Sequence, residues 1–524
     1  MNKFSLKLTA LAVMVALPLQ FAMAEDANTW VRDGEAALKA AQKMHPELRH
    51  AKNVILFVGD GMGISTITAS RIFEGQQKGL DGERNQLSFE TLPYLALSKT
   101  YSANQQTSDS APTMTAMIAG VKTNDGLLSV NQSIERSEPN NSVIQANKVT
   151  TILEQAEARG MSTGIVSTAR ITHATPAATY AHTGNRDWEA DSNVPAGANV
   201  KDIAAQMIDN FGKGAIGDGL EVALGGGRTY FLPNTQFDPE YVTTKGRRKD
   251  GRDLTQEFQT KFGGEYIWNK AQFDAINPRS TKKLLGLFEP SHMQYEFDRT
   301  EDTAGEPSLA EMTDKAIDVL SKNKKGYFLM VEGGRIDHAS HAGNAFRTLS
   351  DTVALSDAVK AAMEKVDLRD TLIVVTADHS HTLTIAGYPK RGNPILGKVV
   401  SPGKTTPDNA ADGNPYTTIS FANGVGYYEN QPGDAVYAKT PRSGRIEDMS
   451  AVNTEDSDFH QEVTVPLSSE THAGEDVAIF AGGPNAHLFH GVQEQSYIYY
   501  VMKDALGFNK NNHHHKDHHE RYDD

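Results

Sequence analysis

Residues 54–63, VILFVGDGMG, join five consecutive apolar side chains to a glycine-rich turn that carries an acid, Asp60. A short apolar run bounded by glycine is typical of a strand that is buried on both faces. The spacing of the glycines differs from the dinucleotide-binding fingerprint, and an acid stands between them. We therefore interpret the stretch as a buried strand that ends either in a simple turn or in a functional site.

Five other short, mostly apolar runs resemble this one, at residues 164–166, 221–224, 327–331, 371–376 and 477–480. Residues 345–366 instead place their apolar side chains at the spacing of one helical face. Alternating helices and buried strands predict an α/β fold, with a central, largely parallel mixed β-sheet flanked by helices on both faces. In such sheets, functional residues gather just past the carboxyl ends of the strands.

Carboxylate, hydroxyl and imidazole side chains lie next to these runs: Asp60, His173, Thr175, Glu332, Asp337, His338, His341, Asp378, His379 and His472. Each one alone has a structural alternative, such as a turn, a hydrogen-bonded polar pair or a buried histidine. Asp337 and His341 are four residues apart, so on a helix they share one face and can chelate one ion. Together the set predicts a centre for more than one metal ion, of the kinds that oxygen and imidazole ligands prefer, Zn²⁺ and Mg²⁺.

Residues 106–118, QTSDSAPTMTAMI, place Ser110 between an aspartate and an Ala-Pro pair. A hydroxyl just before a helix is often its N-cap, and Pro112 fits the first helical turn. The alternative is a nucleophile, because coordination to a metal ion lowers the pKa of a hydroxyl. Arg186 has two interpretations as well, an exposed ion pair or a fork that holds two phosphoryl oxygens.

Composition limits the classes of function. The chain has 524 residues, no cysteine and a formal net charge of −15, so thiolate catalysis and cysteine-ligated zinc are excluded. The negative charge argues against nucleic acid and anionic membranes as partners. Residues 1–24 have a basic start, an apolar run and an Ala-Met-Ala end, which predicts a signal peptide and a periplasmic or secreted protein. The alternative, a membrane anchor, requires a longer apolar run.

The texture of the sequence changes twice along the chain. Residues 387–469 are rich in Gly, Pro, Asn and Thr, which predicts a loop-rich subdomain inserted into a catalytic domain of residues 25–386 and 470–508. Residues 509–524 are polar and rich in histidine. They predict a disordered tail, with metal binding by the histidines as the alternative.

Nine motifs resemble, in type and order, those of the alkaline phosphatases: VGDGMG, TSDSA, THATPA, YAHTGNR, LGGGR, LFEP, VEGGRIDHASH, VTADHSH and THAGEDV. The resemblance extends from about residue 30 to residue 508, nearly the whole chain that follows the predicted signal peptide. The resemblance implies hydrolysis of phosphate monoesters at alkaline pH through a phosphoserine, with two Zn²⁺ and one Mg²⁺ per subunit. It also implies a homodimer, in which the inserted segment forms a crown that contributes to the interface.

The same resemblance assigns a role to each matching residue. Ser110 resembles the nucleophile, and Arg186 resembles the phosphate-binding arginine. The implied metal ligands are Asp337, His341 and His472 for one zinc, Asp60, Asp378 and His379 for the second, and Asp60, Thr175 and Glu332 for magnesium. His173 and His338 stand beside the magnesium ligands, where some bacterial members carry an acid and a lysine, and histidine there favours competition by zinc. Glu240, Phe288, Glu289 and Glu306 fall in a region that resembles the extra calcium site of animal-type members, with ordinary surface acids as the alternative.

Two other functions remain open from the residues alone. One is a phosphodiesterase or sulfatase-type metalloenzyme of the same superfamily, and the other is a secreted protein that binds metal or phosphate without turnover. Arg186 favours a monoester, because its fork needs two free non-bridging oxygens. A protein that only binds would not need Ser110.

Overall fold

The computed structural model describes residues 26–426, 444–445 and 448–509. The predicted signal peptide, most of the predicted tail and part of the predicted inserted subdomain lie outside these residues. The described residues up to 45 form a unit that contains one helix, α1 (Ala27–Gln42), capped by the Asp26 carboxylate, which accepts a hydrogen bond from the Thr29 amide. All other described elements belong to a second unit that begins at residue 46.

The second unit contains thirteen α-helices and fifteen β-strands among the described residues. The helices are α2 (Ile64–Gln77), α3 (Ser110–Ala119), α4 (Asn141–Asn147), α5 (Ile152–Ala158), α6 (Ala174–Ala177), α7 (Ile203–Asp209), α8 (Arg228–Phe231), α9 (Leu254–Phe262), α10 (Lys270–Ala275), α11 (Leu309–Leu320), α12 (Arg335–His341), α13 (Ala345–Lys365) and α14 (Tyr497–Ala505). The strands are β1 (Asn53–Gly59), β2 (Tyr94–Lys99), β3 (Ser162–Arg170), β4 (Val222–Gly226), β5 (Glu265–Ile267), β6 (Leu284–Leu287), β7 (Tyr327–Gly333), β8 (Thr371–Ala377), β9 (Ser380–His381), β10 (Leu383–Ile385), β11 (Ile419–Gly424), β12 (Val463–Pro466), β13 (His472–Ala473), β14 (Val477–Gly482) and β15 (Val492–Glu494).

Ten of the strands form one twisted sheet in the order β15-β2-β14-β8-β1-β7-β3-β4-β6-β5. Every neighbouring pair is parallel except the two that involve β14, which runs antiparallel to both β2 and β8. The predicted largely parallel mixed sheet is therefore confirmed, and the six predicted runs correspond to β1, β3, β4, β7, β8 and β14. The predicted helix at residues 345–366 is α13.

Strand β1 lies at the centre of this sheet, and every one of its residues is buried. Its alternating side chains enter two different cores, because successive residues of a strand point to opposite faces. Leu56 packs in the core that contains Met114 of α3, whereas Phe57 packs in the core that contains Leu355 of α13. Helices thus cover both faces of the sheet, as the apolar character of β1 predicts.

The register of the central strands aligns their carboxyl ends. Gly59 of β1 lies opposite Gly333 of β7 and Ala377 of β8, so the residues that follow all three strands emerge at one edge.

Two small sheets accompany the main one. In the first, β9 pairs with β13 and places His381 opposite His472; in the second, β11 lies between β10 and β12. Within the described residues, no helix has the length and apolar character needed to cross a membrane.

The central position of β1 leads to a stability prediction. Phe57→Ala removes a fully buried ring from the apolar core that also contains Leu355, so it should lower the free energy of unfolding by about 3–5 kcal/mol. Leu95→Ala on β2, where the side chain is 56% exposed, is the matched control and should change it by less than about 1 kcal/mol. Denaturant titration measures both, and similar losses for the two variants would contradict the central role of β1.

Candidate metal centre

The aligned ends of β1, β7 and β8 carry a group of buried donors. Asp60 directly follows β1, Asp378 and His379 directly follow β8, and all three side chains are fully buried. Their ligand atoms lie within 4.8 Å of one another, and His379 Nε2 is 3.4 Å from Asp60 Oδ1 and 3.3 Å from Asp378 Oδ2. The Gly61 and His379 amides donate to Asp378 Oδ1 at 3.0 and 2.9 Å, which fixes that carboxylate.

This first group fits a metal ion because three of its four carboxylate oxygens have no hydrogen-bond partner among the described residues. Within the described part of the chain, neither oxygen of Asp60 accepts a hydrogen bond, nor does Asp378 Oδ2. Buried carboxylate oxygens are nearly always hydrogen-bonded or bound to a cation. Two carboxylates and an imidazole, all converging, suit zinc.

A second group is formed by Asp337, His341 and His472. The Asp337 Oδ1 atom lies 3.3 Å from His341 Nε2 and 3.4 Å from His472 Nε2, and the two imidazole nitrogens are 3.0 Å apart. Both rings use their other nitrogen, Nδ1, to contact a backbone carbonyl, that of Glu470 at 2.6 Å and that of Ser108 at 2.8 Å.

These carbonyl contacts indicate which nitrogen of each imidazole in the second group carries the proton. A carbonyl oxygen only accepts, so each neutral ring carries its proton on Nδ1 and presents a lone pair at Nε2. Two lone pairs and a carboxylate oxygen then face one another at close range, an arrangement that a cation stabilises. Asp337 and His341 lie at the two ends of one turn of α12, as their spacing predicts.

His381 was not among the predicted site residues, yet it lies between these donors. Its Nε2 contacts Asp337 Oδ1 at 2.8 Å, and its Nδ1 contacts Glu470 Oε2 at 2.5 Å. Burial by itself would lower the pKa of His381, but the Glu470 and Asp337 carboxylates outweigh it and raise the pKa to about 10. His381 is therefore a charged donor that holds Asp337 in place. The sequence signal was its position in TADHSH, two residues after His379.

A third group adjoins the first and shares Asp60. One ligand atom each from Asp60, His173 and Glu332 lie within 4.8 Å of one another. Ser167 Oγ donates to Glu332 Oε2, while Glu332 Oε1 and Thr175 Oγ1 are buried without a hydrogen-bond partner among the described residues. Burial, together with the nearby carboxylates, raises the pKa of Glu332 to about 7. The set of oxygens suits magnesium, and the imidazole adds a ligand that zinc prefers.

Ser110 is the first residue of α3, and Asp109 occupies the N-cap position. The interpretation of Ser110 as a helix cap is therefore wrong, and the reason is geometric. Neither Asp109 nor Ser110 caps the helix through its side chain; instead Ser110 Oγ lies 3.2 Å from His379 Nε2. The serine hydroxyl thus points at the first donor group, from the positive end of a ten-residue helix.

Arg186 lies beside Ser110, where it is part of a network and not an exposed ion pair. Its Nη1 donates to Asp109 Oδ2 at 2.8 Å, and its Nη2 donates to His173 Nε2 at 3.0 Å. Burial and the charge of Arg186 lower the pKa of His173 well below its usual range, so this imidazole is neutral. The histidine predicted beside it, His338, packs edge-on against His173 with ring centroids 5.6 Å apart.

A separate acidic group lies in the region where a calcium site was predicted. One ligand atom each from Glu240, Glu289 and Asp302 lie within 4.8 Å of one another. Both oxygens of Asp302 are buried without a hydrogen-bond partner among the residues that the structure describes. Glu306, which was predicted as a ligand, is not in this group, and its Oε1 accepts a hydrogen bond from the Gln294 amide at 3.0 Å.

The predicted residue Phe288 can contribute to this acidic group only through its backbone. Its side chain is buried in the apolar core, and its carbonyl oxygen accepts a hydrogen bond from Arg228 Nη1 at 3.1 Å. A carbonyl oxygen has a second lone pair, which remains available to an ion. Asp302, which the sequence did not single out, thus lies with Glu240 and Glu289, whereas Glu306 lies outside this group.

Comparison with known proteins identifies relatives along nearly the whole chain. The family model described as "Alkaline phosphatase" matches residues 51–508. A tissue-nonspecific alkaline phosphatase of Gallus gallus is 43% identical over 518 residues, 97% of this chain and 94% of the relative. An alkaline phosphatase of Gadus morhua is 43% identical over 470 residues, 88% and 93% of the two chains. The crystal structure of the Thermus thermophilus alkaline phosphatase shares the fold, with a TM-score of 0.63 at 24% identity, over 90% of this chain and 94% of that one.

The position of Glu470 leads to a prediction about metal retention. Glu470 accepts from His381, from the Thr382 amide at 2.7 Å and from Thr382 Oγ1 at 2.6 Å, so it holds His381 and, through it, Asp337. Glu470→Gln should weaken binding of the most labile metal ion by about 10–100-fold, since ligand-orienting partners typically contribute that much.

Metal content after dialysis against graded concentrations of chelator measures this effect. Glu455→Gln, which removes the same charge from an exposed position, is the matched control and should retain metal as the unaltered protein does. Equal retention by the two variants would show that Glu470 does not act on the metal ligands.

Proposed function

Because this chain belongs to the alkaline phosphatase family and hydrolyses phosphate monoesters, we propose that it does so through a covalent phosphoserine at Ser110. The observation that carries the proposal is the position of Ser110 Oγ, 3.2 Å from His379 Nε2 at the start of α3. Ser167 Oγ also contacts a donor group, but it lies within β3 and donates to Glu332 Oε2. In-line attack by Ser110 on phosphorus expels the alcohol; water then attacks the phosphoserine from the side that the alcohol left, opposite Ser110 Oγ, which releases phosphate and restores the serine hydroxyl.

The family is metal-dependent, and the close approach of ligand atoms in the three donor groups supports metal binding here. We assign one zinc ion to the first group, Asp60, Asp378 and His379, and a second zinc ion to the second group, Asp337, His341 and His472. We assign one magnesium ion to Asp60, Thr175 and Glu332 of the third group. When bound, such ions lower the pKa of hydroxyl groups and water and neutralise charge on the phosphoryl and leaving oxygens. His173 gives the third group a ligand that zinc can also use.

The protein's own groups bind and orient the phosphate. Arg186 offers a planar fork to two non-bridging oxygens, and Asp109 holds this fork beside Ser110. The amides of the first turn of α3 add a second source of positive charge, because the helix dipole favours an anion at this end. A diester has one fewer free oxygen for these donors, so a monoester is the better substrate.

The proposal extends to the location and assembly of the protein, which are inferred from the sequence and from the family resemblance. The predicted signal peptide supports a periplasmic or secreted enzyme, and the family resemblance supports a homodimer in which residues 387–469 form part of the interface. Within these residues the structure describes β11 and β12, which pair with each other, and β11 also pairs with β10, which precedes residue 387. The inserted segment is thus held by strand pairing to β10, which directly follows β9 and the metal ligands in the sequence.

Removal of the serine hydroxyl tests the proposed mechanism. Ser110→Ala should lower kcat for 4-nitrophenyl phosphate at alkaline pH by at least about a thousandfold, because the covalent route is lost while the metal ions remain. Metal content and the denaturation midpoint should be unchanged, which separates loss of chemistry from loss of structure.

Substrate and metal controls distinguish the rival functions. Chelation should abolish monoester turnover, and zinc and magnesium together should restore it. Faster turnover of bis(4-nitrophenyl) phosphate than of the monoester would identify a diesterase instead. Full activity of Ser110→Ala would overturn the phosphoserine route.

We also propose a calcium site at Glu240, Glu289 and Asp302, with the backbone of Phe288. Calcium binds the folded state alone, so a concentration of a hundred times Kd should stabilise the protein by about 2.7 kcal/mol. Asp302→Asn should remove this calcium-dependent gain in the denaturation midpoint. Glu306→Gln is the matched control: burial raises the pKa of Glu306 to about 9, so this variant removes little charge and should keep the gain. Loss of the gain in both variants would extend the site to Glu306.

A further inference from the structure

A cavity of about 310 Å³ opens next to the proposed zinc ligands, and no role has been assigned to it above. Its lining consists of His292, Arg335, His338, His341 and Ser469. His341 belongs to the second donor group, so one wall of the cavity is a metal ligand. His338 and His292, which also line the cavity, contact the phosphate-binding arginine through one intermediate residue. Both rings pack edge-on against His173, and His173 accepts a hydrogen bond from Arg186.

Three arginines surround these histidines, and two of the arginines are neutralised. Arg170 donates to both carboxylate oxygens of Glu189, at 2.8 and 2.7 Å, and Arg186 donates to Asp109. The third, Arg335, is different. Among the described residues, no carboxylate lies within ion-pair distance of its guanidinium, and its Nε is buried without a hydrogen-bond partner.

The surroundings of Arg335 hold its guanidinium without cancelling its charge. Its Nη1 donates to His338 Nδ1 at 3.2 Å, and its guanidinium carbon lies 3.7 Å from the centre of the Tyr295 ring. Asp351, a carboxyl group that interacts electrostatically with Arg335, is buried outside the lining of the cavity, and burial raises its pKa. A partly buried cation without a counter-ion is costly, and an anion in the cavity would relieve that cost.

The imidazoles that line the cavity cannot act as a counter-ion for Arg335, because an imidazole carries no negative charge. His292 accepts a hydrogen bond from Arg170 Nη1 at 2.5 Å, and its ring centre is 4.0 Å from that of His338. The lining of the cavity therefore contains one fixed positive charge, on Arg335, and no acid.

We propose that this cavity is a leaving-group subsite for phosphate monoesters whose alcohol carries a second anionic group, and that Arg335 is the cation that pairs with this group. The proposal rests on the assignment of the phosphate site to Ser110 and Arg186. A larger cavity of about 680 Å³ shares His341 and Ser469 with the first, but its lining contains no arginine or lysine. Of the two cavities, the one that Arg335 lines thus offers the cation that a second anionic group needs.

The subsite compensates for the overall charge of the protein. A chain with a formal net charge of −15 repels a doubly charged ester at long range, so recognition has to come from local cations. An ester with a neutral leaving group would leave Arg335 unpaired. An ester with an anionic leaving group gains a charge-assisted hydrogen bond there, and this interaction determines specificity.

Matched substrates test the subsite in the full-length, metal-loaded enzyme. The values of kcat/KM are measured for phenyl phosphate, 3-carboxyphenyl phosphate and 1,3-phenylene bisphosphate, which differ in the second group on the same ring. In Arg335→Gln, the ratio of an anionic substrate to phenyl phosphate should fall about tenfold, the usual effect of one charge-assisted hydrogen bond. Arg335→Lys should recover part of the ratio, and high salt should lower it in the unaltered enzyme only.

Arg369→Gln is the control for loss of a positive charge, because Arg369 is exposed and pairs with Asp367 at the opposite edge of the sheet. It should leave the ratio unchanged. A lower ratio for the carboxylate ester alone would identify a carboxylate as the preferred group, and a lower ratio for the bisphosphate alone would identify a phosphate. Equal losses for all three substrates in Arg335→Gln, or no loss, would overturn the proposal.

A binding experiment separates failure of the subsite from failure of the phosphoserine assignment. Calorimetry compares phenylphosphonate with 3-carboxyphenylphosphonate, which bind without turnover. The carboxylate should strengthen binding to the unaltered enzyme and to Ser110→Ala by the same factor, and to Arg335→Gln much less. Tighter binding that persists in Arg335→Gln contradicts the subsite. An active Ser110→Ala enzyme contradicts the mechanism alone.

Discussion

Burial of like charge at one edge of the sheet is the constraint on which the rest of this structure depends. Asp60, Glu332 and Asp378 are completely buried, and Asp60 lies close to each of the other two. Burial, and then repulsion by neighbouring carboxylates, raises the pKa of Asp60 and that of Asp378 above the usual range. Such a cluster is stable when protons or cations balance it, and cations do so while leaving the oxygens as ligands. The composition of the site and the metal dependence of the family are thus two results of one electrostatic requirement.

The fold meets this requirement by fixing the ligands from the outside. Parallel register brings the ends of β1, β7 and β8 to one level, and buried strands leave these ends little freedom to move apart. A further layer of hydrogen bonds then orients individual atoms. Backbone carbonyls set the tautomers of His341 and His472, and His381 links Glu470 to Asp337. On the opposite side of the site an arginine donates to each of His173, His292 and His338, and burial together with the positive charge of the arginines lowers the pKa of all three rings.

Much of this architecture could be predicted from sequence because its causes are local. A run such as VILFV is apolar at every position, and only a strand covered on both faces suits it. The same locality placed Asp60 and Asp378 at strand ends, and the spacing of Asp337 and His341 placed them on one turn of helix. Contacts between distant segments could not be predicted in this way, because local patterns carry no information about them. Asp302 in place of Glu306, and Asp109 in place of Ser110 as the N-cap, depend on how a loop and a helix start are oriented by contacts that no local pattern encodes.

The sequence by itself thus determined the class of fold, the family and the kinds of side chain available for chemistry, because hydrophobic periodicity and motif order are properties of neighbouring residues. The tertiary structure alone decided which polar groups face one another. Ser110 meets His379 across 269 positions of the chain, and His341 meets His472 across 131. It also decided that Arg170 and Arg186 have carboxylate partners whereas Arg335 faces an open cavity. A buried charge acquires its role from what the fold places opposite it, since the energy of a charge depends on its surroundings far more than on its neighbours in sequence.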